Sequence, residues 1–313
     1  MSTAERVSTD KSPGARATWA RFTRSKAFSG YLFLGPSLIL TLAIMLYPLV
    51  FSLIASTEHY LLARPNERYS VGLENYLWVI QAPSFLNSVG ITLLFTVVAV
   101  SLEFLLGLSF AALLNKEFRF QGIIRVIMML PLFLTPSVVG LIFVRLYYPG
   151  DGLVMLFLNL FGVDRNFPLL ASPSTALPSV ILVDIWRTTP FMFLVMLAGM
   201  QSISPEIQEA ASIDGASSWQ ILRNVTIPLL MPLILIALTI RGMDAFREFD
   251  TIMLLTGGGP GQATEVISMM AYILAFRIYD VGRASAVAWV ILLLVLVFSI
   301  FFVKKLRDMQ MSA

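Results

Sequence analysis

Three arginines, Arg187, Arg241 and Arg247, stand inside strongly apolar stretches of this chain, each with carboxylates close by in sequence: Asp184, Asp244 and Glu248. A charge near the centre of a bilayer costs roughly 3 kcal/mol by the lower estimates, so such groups persist when paired or turned to water. On a helix, Arg241, Asp244 and Glu248 follow i, i+3, i+7 spacing, and all three fall within about 60° of one face. Ala245 shares that face and Arg247 lies at its margin. Two arrangements fit. In one, Arg241–Asp244 and Asp244–Arg247 are i, i+3 ion pairs that let a charged helix rest against its neighbours. In the other, the face is the polar wall of an aqueous cavity, offering charge-assisted hydrogen bonds to a polar solute. The density of charge from Arg241 through Arg247 and Glu248 to Asp250 exceeds what pairing alone requires, which favours the wall.

A neighbouring apolar run repeats the theme more weakly, with Asp184, Thr188 and Phe191 at i, i+4, i+7 and Trp186 and Arg187 beside them. Trp and Phe present apolar faces on which a sugar ring can stack. Trp186 lies too deep in its run for an interfacial belt, leaving packing or a cavity wall. Pro190 removes a backbone donor in mid-run, so local unwinding is expected there.

This is the chemistry of recognition, not of bond making. The chain has no cysteine and one histidine, His59, which excludes disulfides, thiolate or His-rich metal sites and cysteine nucleophiles. No phosphate-binding Gly-x-x-x-x-Gly-Lys-Ser/Thr loop is present. No catalytic residue, metal site or cofactor of the chain's own is expected, and a membrane-embedded enzyme is disfavoured.

The elements that carry these residues follow from composition. With 57% hydrophobic and 13% charged residues and a mean hydropathy of +0.81, the chain has too much apolar surface for a soluble protein. The sequence pI of about 9.2 then reflects membrane orientation and not nucleic-acid binding. Runs long enough to span a bilayer occur at about Phe28–Ser56, Ser88–Asn115, Ile123–Tyr148, Ala176–Gln201, Thr226–Leu255 and Ala284–Val303. The fold class is therefore all-α, a polytopic membrane protein of six spanning helices. Val266–Phe276 reaches only about 16 Å as a helix, too short to cross, and reads as interfacial or re-entrant. Residues 1–27, with Arg6, Lys11, Arg16, Arg21, Arg24 and Lys26, read as a flexible basic cytoplasmic tail ahead of a membrane domain over 28–313. With both termini inside, Lys116, Arg119, Arg125, Arg223, Lys304, Lys305 and Arg307 all fall on the cytoplasmic side, as the positive-inside rule requires.

Between the fourth and fifth runs lies a polar insert, 202–225. Ser204-Pro205-Glu206 reads as a helix start with Ser as N-cap, and Asp214-Gly215 as its end. A second helix is expected from Ala216-Ser217-Ser218 to Pro228, giving a helix-turn-helix outside the bilayer. An amphipathic connector resting on headgroups would account for Trp219 and Leu222. It would not account for Ala210 and Ala211 after Glu209, a smooth surface suited to docking in another protein's groove.

At Glu209-Ala210-Ala211, then Gly215, and Val225-x-Ile227-Pro228, the insert resembles the cytoplasmic signature loop of permease subunits of bacterial binding-protein-dependent ABC importers. Asp244-Ala245-Phe246-Arg247-Glu248-Phe249-Asp250, Leu254-Leu255-Thr256-Gly257-Gly258-Gly259-Pro260 and Val71-Gly72-Leu73-Glu74-Asn75-Tyr76 resemble the carbohydrate-importing branch, of maltose, glycerol-phosphate and trehalose type. The resemblance implies the type I importer permease fold and a multi-pass place in the bacterial inner membrane. It implies a second permease subunit, two copies of an ATP-binding subunit that hold the ATP, and an extracytoplasmic solute-binding protein. It implies coupling to the ATPase through Glu209, Ala210, Ala211, Asp214 and Gly215. It also places a sugar or polyol against Asp184, Trp186, Thr188, Phe191, Arg241, Asp244, Ala245 and Glu248, where charged groups stand for the neutral ones of the maltose-type pattern. The rival reading, an ion-coupled secondary transporter, leaves the insert unexplained and lacks a visible inverted repeat.

Overall fold

The computed structural model describes residues 26–312 apart from Glu117, with side chains from 33 to 308. Apart from its last two residues, the expected tail over 1–27 lies outside the described residues. The chain divides into a unit ending at Ile54 and one beginning at Ala55. The first is dominated by α1, Lys26–Ser56, in which the 24 residues Phe33–Ser56 are apolar on every side. At 1.5 Å per residue this stretch reaches about 36 Å, enough to cross a hydrocarbon core.

The second unit opens with a short antiparallel hairpin, β1 (Glu58–His59) on β2 (Tyr69–Ser70). It continues through α2 (Glu74–Gln81), α3 (Pro83–Leu114), α4 (Gln121–Met129), α5 (Pro136–Leu146), α6 (Leu153–Asn159) and α7 (Pro173–Gln201). Then come α8 (Pro205–Ile213), α9 (Ser218–Ile221), α10 (Ile227–Phe246), α11 (Asp250–Leu255), α12 (Ile267–Tyr272) and α13 (Val281–Ser312). Among the described residues, five helices are long and apolar enough to cross a bilayer, and six if a bent pair counts as one span.

That bent pair corrects the expected continuous span Ile123–Tyr148. α4 and α5 meet at 99°. Pro131 lies in a 3-10 stretch, Leu130–Phe133, and Leu134 and Thr135 are extended with ψ of 135° and 147°. The residue before a proline is pushed out of the helical region, so Thr135-Pro136 ends one helix and starts another. The Thr135 hydroxyl then accepts the Val138 N–H at 3.4 Å, capping α5.

The expected span Thr226–Leu255 is also shorter. α10 stops at Phe246, Phe249 leaves helical geometry (φ −138°, ψ −51°) and α11 starts afresh. Glu248 sits in the break, its carboxylate accepting the Thr251 N–H at 3.2 Å in the first turn of α11. At the other end the span is longer than expected. The second helix of the insert is no separate connector, because Ser218–Phe246 is continuous over 29 residues. Pro228 cannot donate to Asn224 and its ring crowds that carbonyl; the wider π-type turn over Leu222–Thr226 absorbs both effects.

α7 is the axis of the unit. The unwinding expected at Pro190 does not occur: α7 runs unbroken through Pro178 and Pro190, with 67% of its most apolar stretch buried by its neighbours. α3 lies directly against it, since a Cβ on Gly107 would come within 2.6 Å of Met192 Cβ. Phe95, Met192, Phe193, Met196 and Ile252 are fully buried in the resulting core. A second cluster, with Val79, Phe85, Ile267, Met270 and Val287, joins α2, the start of α3, α12 and α13. The apolar helix there runs Ile267–Arg277, too short to span, as the sequence predicts.

Candidate functional site

Five charged residues from three separate parts of the chain converge at α7. Arg241 of α10 donates from Nε to Glu103 Oε2 at 2.7 Å and from Nη2 to Glu103 Oε1 at 2.9 Å, and Nη2 also reaches Asp184 Oδ2. Arg187 donates from Nη2 to Asp184 Oδ1 and to Glu248 Oε2, both at 2.9 Å. The result is one chain of contacts, Glu103–Arg241–Asp184–Arg187–Glu248, tying α3, α7, α10 and the break before α11. Glu103 and Asp184 side chains are fully buried and Arg241 is 4% exposed. Breaking any link would leave a buried charge without its partner, which is far costlier than never burying it.

The chain of charges backs a cavity of about 440 Å³, within the range of small-molecule sites. Its wall includes Arg187, Thr188 and Phe191 from α7, Arg241 and Asp244 from α10, and Arg247, Glu248, Phe249 and Asp250 from the break and α11; Leu132 adds an apolar side. Arg241 Nη1 has no hydrogen-bond partner among the described residues, and Arg187 Nε is buried without one. Donors held still by carboxylates behind them, with acceptors alongside, suit a solute rich in hydroxyls.

Of the residues assigned to a solute from sequence, Thr188, Phe191, Arg241, Asp244 and Glu248 line this cavity, while Asp184, Trp186 and Ala245 are not among its lining residues. Asp184 is buried behind the wall as the link between the two arginines. Trp186 packs edge-to-face with Phe143, ring centroids 5.2 Å apart, and is 42% exposed. Ala245 is buried in the core. The helical spacing also misled on pairing. Arg241 does not pair with Asp244, and Glu248 does not share their helix; only Asp244–Arg247 forms, at 2.7 Å on the exposed side. Glu103 is not among the residues expected from sequence, although it is the only charge in the apolar run Pro83–Leu114.

At the far end of the Ser218–Phe246 helix stands the insert. α8 ends in a Schellman turn: Ala216 N–H donates to Ala211 O at 3.0 Å and Gly215 N–H to Ser212 O at 3.1 Å, with Gly215 at φ +83°. Ser217 and Gln220 then form a reciprocal capping box that opens α9. At the start of α8, Ser204 occupies the N-cap position but does not cap the backbone with its side chain. Glu209 lines a groove of about 890 Å³ between the insert and the end of α3, with Asn115, Lys116, Ser212 and Trp219. Ala210, Asp214 and Gly215 are exposed and Ala211 half-buried. Ile213 is 86% exposed and Trp219 65%, and both line that groove as apolar surface.

Residues 103–312 match the family model described as the binding-protein-dependent transport system inner membrane component. The chain is 40% identical over 268 residues to the probable ABC transporter permease protein y4oQ of Sinorhizobium fredii, covering 85% of this chain and 86% of the relative. It is 38% identical to the trehalose/maltose transport system permease protein MalF of Thermococcus litoralis, covering 88% of this chain and 92% of that one. Among solved structures, a chain of a bacterial ABC transporter involved in the import of the acidic polysaccharide alginate superposes with a TM-score of 0.80 at 25% identity, covering 93% of this chain and 98% of that one.

Proposed function

The chain belongs to the family of binding-protein-dependent transport system inner membrane components, and on that premise we propose that it forms half of the pathway of a bacterial ATP-driven importer of sugars or polyols. The other half is a second, similar permease. Two ATP-binding subunits hold the ATP and the chain binds no cofactor itself. A solute-binding protein delivers cargo at the outer face. Residues 28–313 act as one permease domain behind a basic tail, and both termini lie in the cytoplasm.

The observation that carries this reading is the single helix Ser218–Phe246, with the insert at one end and the charged cavity at the other. From Trp219 to Asp244 is about 37 Å along a helix axis. Movement of the insert is thus transmitted along one continuous helix to Arg241 and Asp244. On the ATPase side, Glu209 supplies a charge-assisted contact, Ala210 and Ala211 allow close approach, and Asp214-Gly215 sets the turn. On the solute side, Thr188, Phe191, Arg241, Asp244 and Glu248 are joined by Arg187, Arg247 and Asp250, and Asp184 steadies the arginines from behind.

The test is uptake of trehalose and maltose into proteoliposomes holding the chain with its partner permease, ATP-binding subunits and binding protein. ATP-dependent accumulation is expected. Glu209→Lys should reduce both uptake and retention of the ATP-binding subunit at least tenfold while membrane insertion stays normal. Accumulation by the chain alone under an ion gradient would overturn the proposal.

A further inference from the structure

The break between α10 and α11 brings Arg247, Glu248, Phe249 and Asp250 to the charged cavity, where the regular helical ladder is interrupted. Phe249 lies outside helical geometry, and the Glu248 carbonyl accepts no backbone N–H among the described residues. A carbonyl withdrawn from water needs another donor. Ser268 supplies it: its hydroxyl donates to Glu248 O at 2.6 Å. Ser268 belongs to the first turn of α12, 20 positions further along the chain. Tyr272, four residues on and so on the same face of α12, sets its ring beside that of Phe249, with centroids 5.0 Å apart.

α12 has a seat of its own that uses neither contact. Its Ile267 N–H donates to Thr92 Oγ1 of α3 at 2.9 Å, and Ile267, Met269 and Met270 are buried. Neither Ser268 nor Tyr272 lines the cavity, so each acts on it through the break. We propose that Ser268 is a positioning residue of the solute site, an inference that rests on the permease reading above. It fixes the backbone from which the Glu248 carboxylate and the Phe249 ring are presented to the solute. Glu248 is then held at both ends, its carbonyl by Ser268, its Oε2 by Arg187 at 2.9 Å and its Oε1 by the Thr251 N–H at 3.2 Å. Binding groups must keep their places to within about 0.5 Å, which takes support from residues behind them.

The test is the concentration dependence of trehalose and maltose uptake by the full transporter in proteoliposomes, with the amount of binding protein held constant. Ser268→Ala should raise the KM roughly fivefold, the weight of one net hydrogen bond, with the maximal rate and the yield of assembled complex unchanged. Ser268→Thr keeps the hydroxyl and should return the KM to its native value. A role in folding alone would lower the yield or the maximal rate and leave the KM where it was, which would overturn the inference. So would a rise in KM that Ser268→Thr does not reverse. Absence of ATP-dependent uptake by the native complex would overturn the permease reading and this inference with it. Normal native uptake with an unchanged KM in Ser268→Ala would overturn this inference alone.

Discussion

Arg241 and Glu103 stand 138 positions apart in the chain, yet two parallel hydrogen bonds of 2.7 and 2.9 Å join them side by side. Both side chains are shut away from solvent, and the pair bolts α3 to α10 where the charged cavity begins.

Glu103→Ala should leave Arg241 with Asp184 as its remaining carboxylate and cost about 3–5 kcal/mol, the usual penalty for breaking a buried pair. Thermal unfolding of the detergent-solubilised protein should show the loss. The double replacement Glu103→Leu with Arg241→Met should recover part of the stability, because Asp184 loses Arg241 but keeps Arg187. It should not recover uptake, because a wall donor is gone.

Asp244 and Arg247 form an exposed pair, with side chains 57% and 61% accessible. Such pairs contribute about 0–1 kcal/mol, so Asp244→Asn should scarcely change stability. It should raise the KM for uptake about tenfold or more, the weight of a hydrogen bond to a charged group. Loss of folded protein with KM unchanged would instead make the pair structural.

Gly215 holds the left-handed turn that ends α8, and an added Cβ would meet nothing within 4 Å. The cost of Gly215→Ala is therefore a backbone cost of about 1–2 kcal/mol, confined to the insert. Coupled ATP hydrolysis should fall while the thermal midpoint of the membrane domain holds.

Glu265, between α11 and α12, is pushed above the ordinary carboxylate range by burial. Its folded form therefore holds a proton more tightly than the unfolded chain. The resulting stability is fully present below the unfolded value near 4.5 and is lost as pH rises through the folded value. Glu265→Gln should flatten that part of the stability profile and raise the midpoint at neutral pH.

Local pattern carried much of this fold. Apolar run lengths located α1, α3, α7 and α13, and Ser204-Pro205 and Asp214-Gly215 bounded α8. The two prolines around Leu134 were visible in sequence, but an apolar run reads the same whether its helix is straight or bent by 99°. Pro190 misled in the opposite sense, since a helix packed on most sides tolerates a missing donor that an exposed one would not.

From its sequence alone, the chain reads as a polytopic membrane protein whose insert resembles an importer permease's signature loop, because hydropathy, caps and the spacing of Glu209, Ala210, Ala211 and Gly215 are properties of neighbouring residues. Only the tertiary structure decided which charges meet. Helical spacing offers Arg241 the partner Asp244, three positions away. Burial selects Glu103 and Asp184 instead, 138 and 57 positions away, because a guanidinium removed from water must be matched by carboxylates removed with it.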